Sequence, residues 1–457
     1  MTLIDIATPV WRIDAVSILL LVLVVGIAVA VLPYAHRSLR GDRRGRGVTI
    51  AIAAMLVATA VVSVSGQWWL FALAWSASTA ATLVALGLGG GRPAIARAAP
   101  WLIGADLALW AALVLAVTGA PGDVVALLFV LTAMVRCALP PAHSWLVDSL
   151  HAPTPVSAAL HGGIVNGGGI LVITQIETIT QSTVAVVVLA VVAAIAIVTG
   201  VVASLVRTDI KGRLVMSTVA QMGFMLLVAA LGLVAAALLH LVAHGFYKSS
   251  LFLSSSDGID RRAADRRSPR PAALAMSARR LRAGAGALVP ATVLVVTALA
   301  VYPGGRGAAE LVVLIVLASA FGVAGARATL LMPGAGRASI AVLTASVAAV
   351  AFVLVTSALT AAVNTAPAAP SATGFSGSAI AVGFAFAAIV TVVAVAALRQ
   401  WAPRSPVALV VLAWGHRVGA PARRPSSTPA SRTNDRPPVV HPAPVPVPVP
   451  ATIGAPV

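Results

Sequence analysis

The sequence predicts an all-α polytopic membrane protein, and three observations carry that expectation. The 457 residues are 60% hydrophobic and 10% charged, with a mean hydropathy of +1.00. A run of about 20 apolar residues crosses the hydrocarbon core of a bilayer. About 13 such runs can be marked, at 15–33, 48–65, 67–89, 98–118, 122–142, 153–173, 183–206, 212–231, 233–254, 286–302, 307–325, 338–362 and 375–398. Arginines concentrate in alternate loops: HRSLRGDRRGRG holds five, and the stretch 255–285 holds eight.

That alternation explains the net charge of +18 as positive-inside topology rather than as a nucleic-acid partner. It places the N-terminus outside and the C-terminus in the cytoplasm of a multi-pass membrane protein. The start, MTLIDIATPVWRID, lacks the basic region of a cleaved signal, so the first span is expected to be retained. One cysteine, Cys137, excludes a disulfide framework, iron–sulfur clusters and four-cysteine zinc sites on this chain. No cofactor is expected on it. Four regions follow: a membrane core at 1–254, a basic cytoplasmic loop at 255–285, further spans at 286–402, and a tail at 403–457. In the tail, 403–417 is a short apolar segment that either lies on the membrane or hairpins into it. From about 420 the chain is Pro-rich and expected to be disordered.

Taken in order, the first span opens at Asp14 and the third contains Trp75-Ser76. Asp106 lies well inside the fourth. A carboxylate there costs ~2.5–3.5 kcal/mol on insertion scales, so it needs a partner or a function. An interhelical hydrogen bond or salt bridge answers that need as well as a functional role does. The fifth span carries Arg136 and is broken at Pro140-Pro141, because proline lacks an amide donor and disfavours helix in the residue before it. A short amphipathic piece with His143, Asp148 and His151 follows. A new apolar helix from Pro153-Thr154-Pro155 then carries Ser157 and His161 inward. In lipid, freed backbone groups are tolerated only inside protein or beside a wet cavity, so a break flanked by ionisable groups suggests an ion path. The Gly-rich run after His161 also reads as close helix packing.

The segment LLHLVAHGFYKSSLF places His240, His244 and Lys248 four residues apart, along one helix face. A His-x3-His pair is able to bind zinc, but the next position on that face is a lysine, which repels a dication, so no metal site is expected. Histidine changes charge near neutral pH, and lysine, unlike arginine, has an accessible neutral form. Chains of such groups mark proton relays. Lys211 and Lys248 are the only lysines among 31 basic residues, and both sit in or beside apolar segments. Asp209 and Lys211, at the mouth of the eighth span, also fit a solvated ion pair. Farther on, Glu310 is the exceptional charge in the last four spans, and Pro290 is a candidate second break. No strand-borne GxGxxG, P-loop or nucleophile–base pair is present, so the chain is expected to conduct rather than catalyse.

The runs HSWLVDSLHAPTPVSAALHGGIVNGGG, RTDIKGRLVMSTVAQMGFM and LLHLVAHGFYKSSLFL resemble the antiporter-like subunits of respiratory complex I and of multisubunit cation/proton antiporters. The resemblance covers roughly residues 10–255. It implies two inverted five-helix bundles, each with a broken helix, and polar groups joined across the midplane. Carried over by position, it makes His161, Lys211, His240, His244 and Lys248 the proton relay. Asp106, Arg136, Ser157 and Asp148 would supply electrostatic support. Departures are Ser76 where the family has glutamate, Ile103 for an arginine, and Arg136 for a lysine. Within the superfamily, the short N-terminus and the Asn-Gly-Gly segment are most similar to DabB-type membrane subunits of inorganic-carbon (CO2/bicarbonate) uptake complexes. That similarity implies a large cytoplasmic DabA-type partner, zinc-containing and carbonic-anhydrase-like. The rival expectations are a proton-translocating subunit of a NADH:quinone oxidoreductase or cation/proton antiporter, and a non-conducting membrane scaffold.

Overall fold

Residues 9–255, 276–302, 308–332, 334–364, 378–401 and 405–420 are described by the computed structural model. Helices make up the regular structure, and a lone bridge between Trp11 and Ser65 is the exception among the described residues. Several helix starts are set by short polar side chains that bind amides lacking an intrahelical acceptor. Asp14 forms a capping box with Ser17 ahead of α1 (Ala15–Ser38), its carboxylate accepting from the Ser17 amide at 2.7 Å. Three more helices precede the break: α2 (Gly45–Val64), α3 (Trp68–Gly90) and α4 (Arg92–Val117). Ser182 caps α10 (Thr183–Val206) and Asp209 caps α11 (Ile210–Ala230).

The break falls where the prolines demand it. Helix α5 (Gly122–Arg136) stops four residues before Pro140, and Ala138 adopts a positive φ of 54°. The chain then forms α6 (Ser144–Asp148), a 3-10 turn (Ser149–His151) and α7 (Thr154–Ala159). A π turn (Leu160–Ile164) leads into α8 (Asn166–Thr174) and the short α9 (Ile176–Thr180). This segment packs against α12 (Val234–Leu253), and a glycine makes the approach possible. A Cβ on Gly162 would lie 2.8 Å from the Gly245 carbonyl oxygen and 3.2 Å from Ser249 Cβ.

Farther along are α13 (Met276–Val301), α14 (Ala308–Leu331), α15 (Ala335–Asn364), α16 (Ser378–Trp401) and α17 (Pro406–Gly419). Pro290 does not break its helix, contrary to expectation; α13 runs through it. Lipid-embedded helices tolerate proline when neighbours absorb the distortion, and Gly325 of α14 packs directly on Gly286 and Pro290. The 13 expected spans fall on α1–α5, the α7–α8 segment and α10–α16. Ten helices among the described residues are long and apolar enough to cross a membrane. The break cuts α5 to 15 residues, two histidines and a lysine make α12 less apolar, and the apolar part of α16 is Val382–Val395. The segment left open at 403–417 is α17, which packs on α10. All described residues belong to one compact unit, whose large core spans α1 to α12.

Candidate ion path

A tight turn containing Gly232 (φ 80°) folds α12 back along α11. His240, His244 and Lys248 recur every four residues on α12 and rise together over about 12 Å. The His240 and His244 rings stack at 6.0 Å between centroids, 19° from parallel, and Phe224 of α11 meets His240 edge-on. Lys248 is fully buried, 1% exposed. Its Nζ donates to the Leu214 carbonyl at 3.1 Å and to Ser217 Oγ at 2.5 Å. The three ion pairs among the described residues are Arg12–Asp14, Arg97–Asp148 and Arg207–Asp209, so no carboxylate bridges this amine. A buried charge with only neutral acceptors is costly.

His161 reaches the same place from the broken helix. Its Nδ1 lies 3.1 Å from Thr218 Oγ1, and its ring stacks on Phe252 with centroids 4.4 Å apart. Thr218 in turn donates to the Leu214 carbonyl at 3.0 Å. A hydroxyl has one proton, so with Thr218 donating to the Leu214 carbonyl, His161 Nδ1 is the donor to Thr218. Lys248 and His161 are therefore joined through one carbonyl and one hydroxyl of α11. Ser249 bonds the Ala158 carbonyl at 3.2 Å and ties α12 to α7; Ser157 is buried one turn before His161.

A second polar group lies at α3, α4 and α5. Arg136 donates to Thr79 Oγ1 at 2.8 Å and to Ser78, and its guanidinium sits 4.7 Å above the Trp75 ring. Thr79 passes a hydrogen bond to Asp106 Oδ1 at 2.9 Å. Asp106 and Arg136 are thus linked through a threonine, not by a direct salt bridge. Ser76 accepts from Trp110 Nε1 at 3.2 Å. Gly167 of α8 lies against both Arg136 and Trp75, so the broken helix touches both polar groups.

Within and beside these two groups, several buried polar atoms have no protein partner among the described residues: Arg136 Nε, Trp75 Nε1, Asn166 Oδ1, His161 Nε2, both His244 ring nitrogens, His240 Nε2 and Gln221 Oε1. Buried polar groups are ordinarily paired, and lipid offers no substitute. A series of unpaired ones is what a hydrated or proton-carrying route through the bilayer requires.

At the mouth, Lys211 reaches the Ala152 carbonyl at 3.5 Å, not Asp209 as an ion pair would require. Asp209 is taken by Arg207, at 2.7 Å, and by the Gly212 amide, at 2.6 Å. Burial raises the Asp209 carboxyl, but these contacts outweigh it and hold the group below the ordinary carboxylate range. Asp148 is clamped by Arg97 of α4 at 2.7 Å, which fastens the break to the bundle. Burial pushes the His143 imidazole below its usual value, and Nε2 lies 3.2 Å from the Val418 carbonyl. Sequence reasoning missed Arg97, Thr79, Ser217 and Thr218. Thr218 carried a signal, standing seven residues, or two turns, after Lys211.

Residues 112–292 match the family described as NADH:quinone oxidoreductase/Mrp antiporter, transmembrane. A "Probable inorganic carbon transporter subunit DabB" of Bacillus subtilis strain 168 is 31% identical over 275 residues, 55% of this chain and 54% of that one. The DabB of Hydrogenovibrio crunogenus is 46% identical over 135 residues, 30% of this chain and 26% of that protein. NADH-quinone oxidoreductase subunit L of Mycobacterium tuberculosis is 36% identical over 134 residues, 29% and 21% of the two chains. The chain thus spans between about a quarter and about half of the first DabB relatives it matches. Among solved structures, a chain of the Mrp complex from Dietzia sp. DQ12-45-1b aligns with a TM-score of 0.53 and 22% identity. The alignment covers 89% of this chain and 52% of that one, and it shows a shared fold.

Proposed function

We infer that this antiporter-like membrane protein, DabB-like in sequence, is the proton-conducting subunit of an inorganic-carbon uptake complex in a bacterial cell membrane. The observation that carries the inference is the series of unpaired polar atoms beside the bonded group Lys248–Leu214–Thr218–His161. Lys211 stands at the entry. Lys248 and His244 exchange protons along α12 with His240, and His161 branches toward Asn166 and Arg136. Arg136 keeps its charge in every step, so it biases neighbouring sites instead of relaying. Asp106, held through Thr79, offsets that charge, while Asp148 and Ser157 fix the broken helix.

The N-terminus faces outward and the connection between α12 and α13 faces the cytoplasm, where a large DabA-type partner is expected to bind. That partner would hold zinc and hydrate CO2 as a carbonic-anhydrase-like enzyme. Each charge crossing the membrane releases ~2.3 kcal/mol per 100 mV, enough to bias a gate on such a partner. In cells expressing the chain with its partner, labelled-bicarbonate uptake is expected to collapse on adding an uncoupler. Uptake that is indifferent to the uncoupler contradicts the reading.

The similarity to subunit L and the shared fold with the Mrp complex favour a second reading, a subunit of a redox pump or antiporter. Purification distinguishes them: flavin or iron–sulfur partners favour the second, and a zinc subunit without them favours the first.

A further inference from the structure

Helix α17 ends at the mouth of the candidate path. Ser405 caps its start, Pro406 occupies the first turn, and Gly415 brings it against α10. A Cβ on Gly415 would lie 2.7 Å from Val202 Cγ1 and 3.2 Å from the Val202 carbonyl oxygen. The last carbonyls of any helix lack intrahelical donors and carry partial negative charge. Here two basic side chains from different segments take them. Arg207, from the α10–α11 connection, donates Nη1 to the Gly419 carbonyl at 3.0 Å. His143, from the break, donates Nε2 to the Val418 carbonyl.

These two segments are the walls of the entry. The break supplies the Ala152 carbonyl that Lys211 meets. Arg207 also grips Asp209, the cap from which α11 starts two residues before Lys211 itself is reached. One helix end thus fastens both sides of the opening.

We propose that α17 is a strap that holds the mouth of the path narrow, with Arg207 and His143 as its positioning residues. This rests on the conduction reading above. Detaching the strap lets the walls part and turns a controlled path into a leak. A merely structural brace would instead lower yield or flux.

The test uses sealed vesicles containing the full chain with its partner subunits, and reads passive proton flux after a pH jump. Gly415→Leu pushes α17 from α10 and is expected to raise the leak at least about fivefold, the low end for coupling between sites. A chain ending at Trp401 should leak equally, whereas one ending at Ala420 keeps α17 and should behave as the full chain does. Arg207→Ala should leak in part, independently of whether the truncations accumulate in the membrane. A leak already present in the chain ending at Ala420, or unchanged flux in both Gly415→Leu and Arg207→Ala, overturns the strap. Adding Lys248→Ala separates the two claims. If the Gly415→Leu leak persists without Lys248, the conduction reading fails; if Lys248→Ala suppresses flux but Gly415→Leu never leaks, the strap alone fails.

Discussion

Asp209 shows how one side chain organises the entry. It caps α11 through the Gly212 amide and holds Arg207, which in turn binds the end of α17. Its carboxyl sits below the ordinary range in the folded protein, so it contributes stability above its unfolded value of ~3.9, and that contribution is lost as pH falls through the lower folded value. Protection of the Gly212 amide, taken relative to its intrinsic exchange rate at each pH, should therefore hold from neutral pH down to about 4 and fall below it. Asp209→Asn should flatten that acid response; an unchanged acid response in the variant contradicts the assignment. At this scale the sequence was half legible. Spacing and residue type singled out His161, His244 and Lys248, because ionisable groups in apolar runs are rare. Their partners were hidden, since the Leu214 carbonyl and Thr218 hydroxyl come to them only through the packing of α11 against α12 and the π turn.

Among elements, the broken helix was predictable and its fastening was not. Pro140-Pro141 dictates the interruption, but Arg97 reads in sequence as one more loop arginine, and only the fold sets it on Asp148. Asp148 is nearly fully buried. Arg97→Ala removes that ion pair and should destabilise the protein by about 2 kcal/mol, the scale of a hydrogen bond to a charged group. Unfolding in detergent micelles measures it. Adding Asp148→Asn to Arg97→Ala should cost less than the two single losses summed; fully additive losses argue against the clamp. Pro290 shows the limit of reading prolines alone: the same residue type breaks one helix and is absorbed by another whose neighbour offers Gly325. The short apolar stretch that became α17 was visible, but its place against Val202 depends on Gly415, which has no local signal.

For the whole molecule, hydropathy and loop charge conveyed the membrane class, and ten of the 13 expected spans are, among the described residues, helices long and apolar enough to cross a membrane. Windows of apolar residues do not register that α5 ends at its break or that α12 gives up apolarity to its polar face. The features that set α5 and α12 apart also carry the candidate residues: α5 ends at the break with Arg136, and α12 bears His240, His244 and Lys248. The stretch 112–292 that matches the NADH:quinone oxidoreductase/Mrp antiporter family contains the break and the α11–α12 pair.

The central claim is that protons cross through Lys248, a side chain able to exist with and without its charge. The direct measurement is proton flux in sealed vesicles bearing the full complex with unaltered chain, Lys248→Ala or Lys248→Arg. Both variants should lose about a hundredfold of the flux, the low end for a positioned proton-transfer group, because arginine preserves the charge but not the exchange. Flux retained in Lys248→Arg would mean that a fixed charge suffices, and flux retained in both would contradict the account.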